Sequence, residues 1–356
     1  MKIKMSFEDR AKKALINSIC LLIERNPDGN IPKIFKLSKA LIKDDRTKKI
    51  LNSIEKSYEE MPSVKEFFDN SLVNINPEIR RNIFMNLVGN SNSSDNNKEK
   101  HIPISIILSP NNKCNLRCVN CSLSNSSSET LNFNDVDRVI GKAQRSGVNY
   151  IILFGGEPFL LDFMFKIYEK YSDIIFTPVT NGTLFTKECV NKLLHLGNII
   201  PTISLDNIEN RIDYTYGEGT FEKVVTGMNL LKDKGIPFGV STAVSSANFS
   251  AVTSDYFIDM LIKNGSKFSI YSNSFCSNSH INKSISKTER LILGEKINIM
   301  RNTKPYFFID LFNDQKYLEE FINPGSSDSH SFFLGNIPQN KLQSISLEHL
   351  IQSTMI

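Results

Sequence analysis

Three cysteines stand within eight residues, Cys114, Cys118 and Cys121, in the run SPNNKCNLRCVNCSLSN. Their C-x3-C-x2-C spacing lets one loop wrap three thiolates around a single metal group. A cubane of four irons held by three thiolates keeps one iron open, and an open iron can chelate a second molecule. The small polar neighbours Asn111, Asn112, Asn115, Asn120 and Ser122 suit a loop whose amides hydrogen-bond sulfur and tune its potential. Two other readings stand beside this one. Structural zinc takes four Cys or His ligands, usually from two paired knuckles, and the sequence has no second C-x2-C and no H-x3–5-H. His101 precedes the neighbouring apolar run and belongs at its far end. A disulfide with a spare thiol is geometrically possible and unfavourable in a reducing compartment. Cys20, Cys189 and Cys276 are scattered singly, so the six cysteines do not read as a disulfide framework.

A second set of candidates recurs at intervals. GGEP at 155–158 follows an apolar run, and its two glycines let backbone approach a ligand as no residue with a Cβ can. An ordinary β-turn is the plainer alternative. TNGT at 180–183, SLD at 204–206 and Ser241 with Thr242 also lie at or near the ends of apolar runs.

These positions need elements to hold them, and the rhythm of the chain supplies them. ISIILSP (104–110) reads as a buried strand, followed by the helix FNDVDRVIGKAQRSG with Asn134 as its expected N-cap and Gly147 as its stop. YIILFGGEP, DIIFTPVTNGT, IIPTISLDN, PFGVSTAVSS and KFSIYSNSF read as further strands, separated by helical segments. Six βα repeats in about 170 residues predict a parallel sheet with right-handed crossovers, curled into an open partial barrel. Sites in such sheets lie at the carboxyl ends of the strands, where the unusual residues fall.

Outside the repeats, residues 1–90 read as a helical region, with apolar residues at three- and four-residue spacing in ALINSICLLIERN and KIFKLSKALIKD. Cys20 lies on the first of those stripes as a packing thiol. SNSSDNNKEK, 91–100, reads as a linker. The barrel is expected over 101–275 and a C-terminal extension over 276–356. There KTERLILGEKINIMRN looks helical and YFFIDLF looks like a strand.

The bulk composition narrows the function classes. With 42 Lys and Arg against 38 Asp and Glu, the net charge of +4 is too mild to argue for a nucleic-acid partner. No apolar run approaches the ~18 residues of a membrane span. The N-terminus begins basic and turns apolar, but acidic residues interrupt it and no small-residue cleavage site follows, so a cytoplasmic address is expected.

Cys114, Cys118 and Cys121 after an apolar strand, followed by GGEP, resemble the radical S-adenosylmethionine (SAM) superfamily over about residues 101–275. The resemblance implies an α/β fold, a partial (β/α)6 TIM-like barrel with an N-terminal helical domain and a short C-terminal extension. It implies a [4Fe–4S] cluster on the three cysteines, with SAM as the second cofactor. The backbone of Gly155, Gly156 and Glu157 would meet the methionine amino group. Thr180 and Asn181 match the TNGT segment of these proteins. Ser204 and Asp206 match their SLD segment, with Asn207 where glycine is frequent. Ser241 and Thr242 fall where ribose and carboxylate are contacted, and FSIYSNSF where adenine contacts are usual. Asn120 stands where the family often has an aromatic residue. The activity so implied is reductive SAM cleavage, with an electron from an external donor such as flavodoxin or ferredoxin, and hydrogen abstraction from a substrate by the 5′-deoxyadenosyl radical.

GTFEKVVTGMNLLKDKGIPFGVSTAVSSAN and the closing LGNIPQNKLQSISLEHLIQS resemble the subgroup with a SPASM-type C-terminal region. After residue 121 only Cys189 and Cys276 remain, too few for an auxiliary cluster. By this resemblance the first expected substrate is a peptide and the second a small molecule. The alternative is a SAM- and cluster-binding protein of little turnover, acting as a partner or regulator.

Overall fold

In the computed structural model of the chain, the described residues are 18–19, 21–22, 30–42, 45–71, 74–89, 105–118, 121, 130–146, 148, 150–208, 212–213, 217–273, 284–314 and 332–334. Cys20, the linker at 91–100, His101, Asn120, Gly147, Cys276 and the closing LGNIPQNK phrase beyond residue 334 lie outside them. The chain divides into two units, Met1–Lys100 with Asn302–Pro305, and His101–Arg301 with Tyr306–Ile356.

The first unit is helical where described. α1 (Ile31–Leu41) carries Pro32 in its first turn, where a missing N–H costs nothing, and buries Ile31, Phe35, Ser38 and Leu41 at helical spacing. α2 (Asp45–Glu60) and α3 (Pro62–Glu66) follow, then a widened helical turn at Phe67–Ser71 and α4 (Pro77–Gly89). Phe35, Tyr58 and Phe68 meet with ring centroids 5.7 or 5.8 Å apart, which ties α1, α2 and that turn together.

The second unit is an α/β sheet. Its strands are β1 (Ser105–Leu108), β2 (Tyr150–Leu153), β3 (Ile175–Thr180), β4 (Thr202–Ser204), β5 (Gly239–Val244), β6 (Phe268–Asn273), β7 (Phe307–Asp310) and β8 (Phe332–Leu334). Their order across the sheet is β7-β6-β5-β4-β3-β2-β1-β8. Every pairing is parallel. β1 to β7 lie in sequence order, each joined to the next through helical chain, and form the curled half-barrel of the expected fold class. The crossover helices include α5 (Phe133–Arg145), α6 (Phe163–Lys170), α7 (Lys187–Leu196), α8 (Thr220–Asp233), α9 (Phe249–Val252), α10 (Asp255–Lys263) and α11 (Lys287–Thr303).

Strand alternation separates the two faces of this sheet. Ile106, Leu108, Ile151, Leu153, Val240 and Val244 are buried under the helices. On the other face Ile107, Ile152, Val179, Ser241, Ala243, Ile270 and Ile309 are only half-buried. The helices answer with apolar stripes, such as Met164, Ile167 and Tyr168 on α6 and Phe257, Ile258 and Leu261 on α10. Full burial of side chains as large as Phe176, Phe238 and Phe257 contributes about 1.5–3 kcal/mol each.

The structure departs from the sequence reading in three places. The N-cap of α5 is Asn132, whose side chain accepts from the Asp135 N–H, while Asn134 is the second residue of the helix. Both asparagines precede the apolar face, and only the backbone turn decides between them. The sheet also continues past residue 275, because α11 serves as a crossover that lays β7 beside β6, with Tyr271 opposite Asp310. Finally, β8 runs parallel to the outer edge of β1, with Ile106 opposite Phe332, in a stretch whose sequence carries no strand signal beyond three apolar residues.

Candidate functional site

The loop that leaves β1 doubles back along the turn that leaves β2. The N–H of Phe154 donates to Leu108 O at 3.0 Å, that of Gly156 to Asn111 O at 2.8 Å and that of Glu157 to Lys113 O at 2.7 Å. The parallel ladder therefore persists beyond the strands and presses the cysteine loop onto the glycine turn. Gly155 has φ +127°, and a Cβ there would lie 2.3 Å from Ser109 Oγ; a Cβ on Gly156 would lie 2.0 Å from Lys113 O. The space that both glycines leave is filled by the protein's own loop.

Past Lys113 come the cysteines. Cys114 is exposed, and Cys118 and Cys121 are half-buried. The Cys121 N–H donates to Cys118 O at 3.3 Å and closes a turn, while the Leu116 N–H points at Cys114 Sγ from 3.4 Å.

Glu157 is 1% exposed, and its carboxylate stitches the ends of β2 and β3 together. Oε1 accepts from Thr180 Oγ1 at 2.7 Å and from the Phe159 N–H at 3.1 Å, and Oε2 accepts from the Asn181 N–H at 2.9 Å. Burial holds this carboxyl above the usual range, and the three donors oppose the shift. Thr180 is 2% exposed with its hydroxyl spent on Glu157, so both side chains act within the scaffold. Asn181, at the end of β3, reaches the cysteine loop: its Nδ2 lies 3.6 Å from Cys114 Sγ and 2.9 Å from Asn115 Oδ1.

The ends of β4 and β5 make the third side. Ser204 lies opposite Ser241 in register, both half-buried. Asp206 Oδ1 accepts from the Ala243 N–H at 2.8 Å. Adjacent strand residues point to opposite faces, so Ser241 and Thr242 cannot both line the half-open face. Thr242 is fully buried and its hydroxyl donates to Leu205 O at 3.0 Å, while Ser241 stays half-buried on the other face. Sequence reading passed over Asn248 as a site residue. Its Nδ2 donates to Asp206 O at 2.8 Å and Ala243 O at 2.9 Å, buckling the two strand ends together. The only local signal was a polar SSAN turn after an apolar strand.

Electrostatics tie these elements to one place. The Cys118 thiol is pushed up to about 12, first by burial and then by the charges of Cys114 and Cys121, with Asp206 adding to the effect. Cys114, though exposed, is raised as well, above all by partial desolvation of its sulfur, against the Leu116 N–H that favours its thiolate. Thiols raised in this way become thiolates most readily beside a cationic group, whose binding releases their protons. Among the described residues, no three His, Cys, Asp or Glu side chains gather around the position of one ion. Cys114 feels the charges of Glu157 and Cys121 and the amide of Asn181, and Cys118 those of Cys114, Cys121 and Asp206, so the cysteine loop lies beside the carboxyl ends of the strands. Cys189 lies half-buried on α7, its thiol pushed up to about 11 by burial.

Among the described residues, no helix is long and apolar enough to cross a membrane. The family model described as the radical SAM superfamily matches residues 108–248. The AdoMet-dependent heme synthase of Methanosarcina barkeri is 32% identical over 150 residues, 40% of this chain and 43% of that protein. The sporulation killing factor maturation protein SkfB of Bacillus subtilis is 32% identical over 161 residues, 44% of this chain and 39% of that protein. Among solved structures, anSMEcpe with bound AdoMet and Kp18Cys peptide shares the fold at a TM-score of 0.55 and 18% identity, covering 70% of this chain and 80% of that one. The chain therefore spans about two fifths of the length of the two curated relatives. By that match and this architecture, residues 108–248 of the chain carry a radical SAM domain.

Proposed function

We propose that the chain is a radical SAM enzyme whose substrate is a peptide. Cys114, Cys118 and Cys121 would hold a [4Fe–4S] cluster and leave one iron to SAM. The observation that carries this reading is the loop bearing the three cysteines pressed onto the Gly155–Glu157 turn at the carboxyl ends of parallel strands. The donor set suits a cubane: each thiolate would bind a different iron, so the three sulfurs would not need to close on one point as zinc ligands must. The chemistry that such a cluster and SAM supply when bound is reductive cleavage of the sulfonium bond and abstraction of hydrogen from an unactivated C–H bond.

The chain's own residues supply placement and protection. The N–H groups of Gly156 and Glu157 are committed to the cysteine loop, so an ammonium group would meet the carbonyls of that turn, which are acceptors. Asp206 and Ser241 stand on the β4–β5 side, where hydroxyls of a ribose find an acceptor and a donor. The half-open face of the sheet offers Ile107, Ile152, Val179, Ile270 and Ile309, with no charge among them. An uncharged side chain of a peptide suits that wall, which keeps water and stray polar hydrogens off the reacting position. The name of the SkfB relative and the peptide bound to anSMEcpe support a peptide as the substrate class.

Anaerobic reconstitution followed by iron, sulfide and zinc analysis tests the cluster. Roughly four irons and matching sulfide per chain are expected, and Cys118→Ala should take up none. Zinc without iron or sulfide would overturn the reading. Reduction in the presence of SAM should give 5′-deoxyadenosine and methionine; a loaded cluster without that product makes the chain a binder of little turnover. Transfer of deuterium from a deuterated peptide into 5′-deoxyadenosine tests the substrate class.

A further inference from the structure

Asn181, Asn115 and Thr183 close a ring of hydrogen bonds whose direction is not a matter of choice. The Thr183 backbone N–H can only donate, and it lies 3.0 Å from Asn181 Oδ1. The other atom of that amide must then be the NH2 group. It donates to Asn115 Oδ1 at 2.9 Å, so Asn115 presents its own NH2 to Thr183 Oγ1, also at 2.9 Å. The Thr183 hydroxyl, accepting there, sends its proton to Asn181 Oδ1 at 2.6 Å, and the ring is complete. One hydrogen of the Asn181 amide remains, and it faces Cys114 Sγ, 3.6 Å from Nδ2. That separation suits sulfur, whose radius is larger than that of oxygen.

The arm that carries this donor is held from behind. The Asn181 N–H is bound to the buried Glu157 carboxylate, and the Gly182 N–H donates to Thr180 Oγ1 at 3.1 Å. Both anchors belong to strand ends. The amide is therefore pre-oriented by the scaffold, and little rotamer freedom is lost when it binds sulfur.

We infer that Asn181 is a positioning and tuning residue for the cluster, donating a side-chain hydrogen bond to the Cys114 thiolate and so raising the cluster's reduction potential. The inference rests on the cluster assignment above. A donor at a ligand sulfur stabilises the more negative, reduced state more than the oxidised one, and reduction becomes easier. Asn181 was expected from the sequence to meet SAM; here its amide is spent on the ligand loop instead.

The test is the midpoint potential of the reconstituted cluster, followed by EPR in a reductive titration without SAM. Asn181→Asp is the informative variant, because it keeps the size and the oxygen that accepts from Thr183 while removing the donor. Asn181→Ala removes both. Each should load iron and sulfide as the unchanged protein does, and each should show a lowered midpoint potential, with Asn181→Asp shifted further because it sets a negative oxygen beside sulfur. Equal potentials in variant and unchanged protein would overturn the inference while leaving the cluster assignment intact. Failure of both variants to load iron, with native circular dichroism, would make Asn181 a structural element of the loop and overturn it equally. Absence of iron in the unchanged protein would instead sink the cluster assignment itself.

Discussion

Gly156 lies against Lys113 so closely that a Cβ at position 156 would stand 2.0 Å from the Lys113 carbonyl oxygen and 2.6 Å from its carbonyl carbon. Those atoms are backbone, so no side-chain rotation relieves the contact. Gly156→Ala must push the cysteine loop away from β2 and break the bonds from Gly156 N to Asn111 O and from Glu157 N to Lys113 O. The expected result is loss of iron and sulfide uptake with circular dichroism largely unchanged. A Gly156→Ala protein that reconstitutes fully would refute the argument.

Glu157 is expected to matter for stability in proportion to the acceptors retained. Glu157→Ala strands the Asn181 and Phe159 N–H groups and the Thr180 hydroxyl in a buried place, at a cost of about 2–3 kcal/mol. Glu157→Gln keeps one accepting oxygen and should cost roughly half as much. Urea unfolding separates the two, and equal losses would count against the hydrogen-bond account.

Asn198, 1% exposed, aims its Nδ2 at the carbonyls of Tyr168, Tyr171 and Ile174, at 3.0, 3.1 and 3.1 Å. It thereby satisfies the end of α6 and fixes the entry to β3. Asn198→Asp sets an acceptor against three acceptors and is expected to cost about 3 kcal/mol, with a melting temperature lower by roughly 6–12 °C. Asn198→Ala should cost less. Calorimetry on the two variants checks the order.

The Lys170 ammonium, hydrogen-bonded to Asp137, holds that carboxyl below the usual aspartate range, and the Tyr171 hydroxyl at 2.9 Å helps. A depressed carboxylate adds stability above its unfolded pKa, near 4, and loses it as pH falls through the lower folded value. The site is largely solvated, so the gain is a few tenths of a kcal/mol. The stability gap between the unchanged protein and Asp137→Asn should be present at neutral pH, shrink with salt and close below about pH 4. A gap that widens on acidification would contradict this sign.

Much of the barrel was legible from periodicity. Apolar runs such as YIILFGGEP and DIIFTPVTNGT became β2 and β3 near the expected places, because short buried strands alternating with amphipathic helices have few other ways to pack. The cap of α5 and the crossover that adds β7 were misjudged or left open. An N-cap depends on one backbone turn, and YFFIDLF carries no mark of the partner it will pair with. In the site, the TNGT segment was noticed, but the ring it makes with Asn115 was not, since its partners lie 66 to 68 residues apart.

The sequence alone determined which chemistry is at hand: three thiols on one loop, two adjacent glycines after a strand, and polar residues at successive strand ends. These are local properties, set by spacing along the chain. The tertiary structure decided what each residue does with its bonds. Strand alternation sent Thr242 into the core while Ser241 stayed on the half-open face, and the extended ladder gave the room beside Gly156 to Lys113. The register of β2 against β3 brought Asn181 to Cys114 across 67 residues. Contacts of that range depend on which strands lie side by side and how far each extends, and no stretch of sequence carries that information by itself.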